Sequence, residues 1–108
     1  MQKCNLITVR DDNHATPLDG SIVSLVYEGR YDSAEGIVFD SSPPGRPFSF
    51  TVGDGSVIAG WDLCVRTMQQ GERCGLLLQP RFAYGDKGAK GIPGGSVLYF
   101  DMQLLEWI

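Results

Sequence analysis

The apolar residues of this chain alternate along nearly every segment and fall on a helical spacing only once. In "SVLYFDMQLLEW" Leu98, Phe100, Met102 and Leu104 take every second position, the period that lines one face of a strand. "SIVSLVYEGRY" repeats it, with Val23, Leu25 and Tyr27 set against Ser24, Glu28 and Arg30, as in a strand with one buried face. "RCGLLLQ" offers Cys74, Leu76 and Leu78 as an inner face, and "FSFTVG" offers Phe48, Phe50 and Val52. "KCNLITV" and "GIVFD" read as further strands. The exception is "GWDLCVRTM", where Trp61, Cys64, Val65 and Met68 follow the spacing of one helix face. A short helix is predicted from about Gly60 to Met68, stopping near Gly71. Many strands and one helix make an α+β domain, a twisted antiparallel sheet wrapped around the helix. A doubly wound fold needs helices between its strands, and the segments are too short to hold them.

At 108 residues the chain has the size of one domain with a modest core. The expectation is a single domain over 1–108, either an entire protein or one module of a longer one. The net charge of −4, with no basic stripe, argues against nucleic acid as a partner. No apolar run reaches membrane-spanning length. The opening "MQKCNL" lacks the charged and apolar regions of a signal peptide, so no membrane association and a cytoplasmic location are expected. Cys4, Cys64 and Cys74 form no C-x-x-C pair and read as small buried hydrophobes in a reducing compartment.

His14, the only histidine, lies in the polar stretch "RDDNHATPLDG". One histidine and scattered cysteines give no metal-ligand set and no nucleophile with its base, so no metal or cofactor is expected. "GDKGAKGIPGG" lacks both the G-K-[S/T] ending and the following helix of a phosphate loop. "GDGSVIAG" has no βαβ unit around it. Asp11, Asp12, Asp54 and Asp86 read as solvated surface charge.

The aromatics are more informative. Tyr27, Phe39, Phe48, Trp61, Tyr84 and Phe100 come from different elements, several beside loop residues. They either fill the core independently or converge on a pocket, and Trp61 is either a core plug or a pocket floor. Asp40, at a strand end before Ser41 and Ser42, is either an acidic cap on a turn or a partly desolvated carboxylate that needs hydrogen-bonded partners.

Five stretches in order resemble the FKBP-type peptidyl-prolyl isomerases, the macrolide-binding immunophilins. They are "VYEG", "VFDSS", "PFSFTVG", "VIAGWD" and the run from "RFAYG" through "GIP" to "LYFDMQLLEW". The resemblance covers nearly the whole chain from about Gly20 onward and implies an FKBP-like fold with its pocket between helix and sheet. Trp61 would then be the floor, with Tyr27, Phe39, Phe48 and Phe100 as walls. The Val57–Ile58 backbone would face a ligand carbonyl, and Tyr84 would offer its hydroxyl to another. Asp40 would sit at the rim within reach of Tyr27, and Ile92 would add a contact from the last loop. The implied activity is rotation about X–Pro bonds in polypeptides, a protein-folding role, with macrolides of the tacrolimus and rapamycin type in the same pocket. The alternative within the family is a weakly catalytic scaffold domain of a co-chaperone, with chaperone partners. The chain departs from the family pattern at the short "SSPPGRP" loop carrying Arg46, at Ser56 before Val57, and at Ala89 in a shortened last loop.

Overall fold

The two segments of longest alternation become the two longest strands, and they pair with each other. In the computed structural model, which describes residues 1–7, 15–89 and 91–108, the strands are β1 (Gln2–Ile7), β2 (Ile22–Tyr31), β3 (Val38–Ser41), β4 (Phe48–Thr51), β5 (Arg73–Leu78) and β6 (Leu98–Trp107). One helix, α1 (Ala59–Val65), stands between β4 and β5, and a single 3₁₀ turn covers Pro80–Phe82. All pairings are antiparallel, in the order β1-β5-β6-β2-β3, with β4 also on β2. The first half of β2 pairs with β4 and the second half with β3. These two short strands thus share one edge, parted by the Pro- and Gly-rich loop that no ladder could hold.

The alternation sorts the faces as expected. Val23 and Leu25, then Cys74, Leu76 and Leu78, then Leu98, Phe100, Met102 and Leu104 are all buried against Trp61, Cys64, Val65 and Met68. The helix is shorter than its apolar spacing implies, ending at Val65 rather than Met68. Thr67 is the reason: its Oγ1 donates to the Cys64 carbonyl at 2.7 Å, competing with the helical ladder at the last turn. Met68 still reaches the core, from the turn that follows. Gly71, at φ +86°, then directs the chain into β5, its N–H donating to the Leu104 carbonyl at 2.6 Å.

Cys64 and Cys74 are buried as expected, but Cys4 is exposed, because it lies on an edge strand where no layer covers it. His14, Asp11, Asp12 and the end of the first expected strand, Thr8 and Val9, lie outside the described residues. Among the described residues no helix is long and apolar enough to cross a membrane.

Candidate functional site

A cavity of about 370 Å³ opens where α1 meets the sheet, and aromatic rings form most of its wall. Two glycines make room for it. Gly29 on β2 stands opposite Phe100 on β6 and Asp40 on β3. A Cβ there would lie 2.7 Å from the Phe39 Cζ and 2.8 Å from the Phe100 Cε1. Its absence lets those rings meet across the strand, 5.7 Å apart and edge to face. Gly60 does the same for the helix, since a Cβ there would strike the δ-carbons of Leu78. The first turn of α1 therefore rests directly on β5 and carries Trp61 inward. The indole centroid lies 4.7 Å from Tyr27, 5.2 Å from Phe100 and 5.7 Å from Phe48, all steeply inclined.

Trp61 is only 6% exposed, whereas Phe48 and Tyr84 are each 38% exposed. The aromatics converge, with Trp61 as floor and Phe48 and Tyr84 at the mouth. The indole Nε1–H is buried without a hydrogen-bond partner among the described residues. A larger depression, about 440 Å³, lies on the other face of the sheet against Gln2, Asp32 and Tyr99. Its lining carries one ring, Tyr99, and so no aromatic cluster.

At the rim the Tyr27 hydroxyl donates to Asp40 Oδ2 at 2.8 Å. Partial burial first, and this bond to the carboxylate second, push the Tyr27 hydroxyl up to about 12. Tyr84 is raised as well, by desolvation and then by the charge of Asp40. Ser42 bonds the backbone of Tyr27, accepting from its N–H at 2.9 Å. Asp40 thus serves the pocket mouth and not merely a local turn.

The backbone at Val57–Ile58 is fixed by an acidic and basic cluster that the sequence does not advertise. Asp62, in the first turn of α1, accepts from the Gly53 N–H at 2.7 Å and pairs with Arg66, which also reaches Asp19. Asp54, expected only as surface charge, accepts from the Ser56 N–H at 2.9 Å. Ile58 then enters the helix as its extended N-cap. Its own N–H has no partner among the described residues, as suits the exposed amides at a helix start.

The cavity wall brings together Tyr27, Phe39, Asp40, Phe48, Val57, Ile58, Trp61, Tyr84 and Phe100. Ser56, which sequence reasoning passed over, joins them. Ile92 does not: it packs against the core, held in a tight turn bridged to Ala89. The loop it belongs to is fastened by the Tyr31 hydroxyl, which donates to the Gly91 carbonyl at 3.2 Å.

Residues 13–105 match the family described as FKBP-type peptidyl-prolyl cis-trans isomerase. Peptidyl-prolyl cis-trans isomerase Fkbp12 of Drosophila melanogaster is 42% identical over 97 residues, covering 88% of either chain. FK506-binding protein 4 of Emericella nidulans is 45% identical over 87 residues, which is 81% of this chain and 18% of that protein. FK506-binding protein 59 of Drosophila melanogaster is 44% identical over 94 residues, 85% of this chain and 21% of that one. The chain therefore spans about a fifth of the length of several relatives and most of the length of another.

Proposed function

Since this chain belongs to the FKBP-type peptidyl-prolyl cis-trans isomerases, we propose that it accelerates rotation about X–Pro bonds of polypeptides in the cavity floored by Trp61. The observation that carries this reading is the pocket itself, walled mostly by aromatic rings and lined by no histidine, cysteine or lysine. Amide rotation breaks no covalent bond. Its barrier of roughly 18–20 kcal/mol is the resonance lost on twisting, and the free reaction takes roughly tens to hundreds of seconds.

The twisted amide carries less charge separation than the planar one, so transfer from water into an apolar pocket favours the twisted form. Tyr27, Phe39, Phe48 and Phe100 enclose a flat proline ring above Trp61. The Ile58 N–H and the Tyr84 hydroxyl then hold carbonyls of the flanking chain in a compact turn. An acceleration of about 10⁶-fold, low for an enzyme, requires about 8 kcal/mol. Two hydrogen bonds at about 1 kcal/mol each supply a minor part. Desolvation and positioning by the aromatic wall must supply the rest.

The same cavity takes macrolides of the tacrolimus and rapamycin type, in keeping with the FK506-binding relatives, because such a ligand mimics the twisted amide. The reading includes a protein-folding role for a single domain over residues 1–108, in the cytoplasm, where free thiols such as Cys4 are kept reduced. A competition experiment tests the shared site: an X–Pro peptide followed by tryptophan fluorescence, titrated with tacrolimus. Mutually exclusive, saturable binding is expected. Simultaneous binding of both, or none of either, would overturn the assignment.

A further inference from the structure

On the buried side of α1, Cys64 meets Cys74 of β5. Their sulfurs lie 3.6 Å apart, both residues are almost wholly buried, and the Met68 sulfur is 4.0 Å from Cys74. A disulfide needs about 2.05 Å between sulfurs, so the gap exceeds a bond by only about 1.5 Å. Closing that gap requires rotation of the two cysteine side chains or a closer approach of α1 to β5. A cation also stands nearby. The Lys3 ammonium, 2.7 Å from Glu72 Oε2 and 2.8 Å from Thr67 Oγ1, acts on both sulfurs. The contact with Cys74, aided by Lys3, holds the Cys64 thiol below its ordinary range against burial and Glu72. Cys74, through the same contact and by its burial, is held above it.

We propose that Cys64 and Cys74 form an oxidative modification site, at which a peroxide converts the two thiols into a disulfide that clamps α1 to β5. The Cys64 thiolate attacks one oxygen of the peroxide, the O–O bond breaks, and hydroxide leaves to become water, giving a sulfenic acid. The Cys74 sulfur then attacks the Cys64 sulfur, and hydroxide departs with the Cys74 proton as a second water. Two thiols lose two electrons and one hydrogen peroxide gains them. Hydrogen peroxide is small enough to enter during local openings of a short helix. The clamp bears on the pocket because Trp61 precedes Cys64 by one turn on the same buried face. That consequence, unlike the modification, rests on the isomerase reading.

The test is hydrogen peroxide treatment of the folded Cys4→Ser chain, which lacks the exposed thiol, followed by peptide mapping. The expected product is lighter by two hydrogen atoms, joins the Cys64 and Cys74 peptides, and reverts with dithiothreitol. Cys64→Ala should abolish the joined peptide. Recovery of both cysteines as thiols while the exposed Met1 is oxidised would overturn the proposal. So would accumulation of Cys64 sulfinic acid without a joined peptide. In the cross-linked protein kcat/KM should fall several-fold and recover on reduction. An unchanged kcat/KM would refute the coupling to the pocket. The joined peptide is read by mass alone, so it stands or falls independently of the isomerase reading.

Discussion

Replacing Gly29 by alanine tests how the aromatic wall is built. The glycine's φ is not in the left-handed region, so the backbone itself accepts alanine. The obstacle is the added methyl, 2.7 Å from the Phe39 Cζ and 2.8 Å from the Phe100 Cε1. Carbon atoms rest at about 3.5–4.0 Å, so the rings must yield about 1 Å. Phe100 is 2% exposed and hemmed in, whereas Phe39 lies half-buried at the sheet edge. Phe39 is the ring that moves. Overpacking costs about 1–3 kcal/mol, and an outward-yielding ring puts this site near 1 kcal/mol, a fall of about 4–8 °C in Tm. Catalysis should suffer more, since a wall displaced by about 1 Å can cost about 10²-fold. A protease-free isomerisation assay and a thermal melt, run on the same preparation, read both quantities. Adding Phe39→Leu should recover the stability but not the activity. A Gly29→Ala chain with unchanged Tm and kcat/KM would refute the claim that ring contact across residue 29 shapes the site.

Trp61→Leu leaves a void in the floor. Because leucine refills part of it, the stability cost should fall below the roughly 3–5 kcal/mol of a tryptophan truncated to alanine, and calorimetry with tacrolimus should show affinity largely lost. Tyr84→Phe removes one hydroxyl worth about 1 kcal/mol, so kcat/KM should fall less than about tenfold. A larger fall would move the weight of catalysis from the aromatic wall to the hydrogen bonds. Tyr27 supplies a pH signature. Its hydroxyl, pushed up to about 12 in the folded chain, stays protonated where an unfolded tyrosine, at about 10, has ionised. Its stabilising contribution is therefore complete below about pH 10 and lost as pH rises through about 12. In the folded chain the tyrosinate absorbance of Asp40→Asn should begin to rise at lower pH than in wild type, though burial keeps part of the shift. Identical curves would show that Asp40 does not act on Tyr27.

The period-2 runs made most of the sheet legible, because alternation is a local property that a strand must satisfy before any partner is known. The inner faces of β2, β5 and β6 are those that the alternation of Val23, Leu76 and Phe100 indicates. Partners were less visible: nothing local says that β3 and β4 share an edge of β2, which depends on where the loop at Pro43–Pro47 leaves the ladder. The end of α1 was misread because Met68 keeps the apolar spacing after the Thr67 hydroxyl has taken the Cys64 carbonyl. In the site, large rings announced themselves, but the absences that make room for them did not. Gly29 and Gly60 look like ordinary glycines until Phe39, Phe100 and Leu78 are placed against them. In the clasp from Asp19 through Arg66 and Asp62 to Gly53, the Asp62–Arg66 pair is local, at i,i+4, but the reach of Arg66 to Asp19 across 47 positions was hidden. Ile92, expected to add a contact from the last loop, is not among the residues that line the cavity and packs half-buried against the core, as Tyr27 and Ile58 also do.

If this pocket lowers the barrier to X–Pro rotation by enclosure and positioning, it does so without moving a proton. The decisive quantity is kcat/KM for an X–Pro peptide in a protease-free assay, taken across neutral pH in water and in heavy water. Strong acceleration is expected, abolished by tacrolimus, flat across neutral pH and equal in the two solvents. Absence of acceleration, or a rate that follows a titrating group and slows in heavy water, would show that the pocket works some other way.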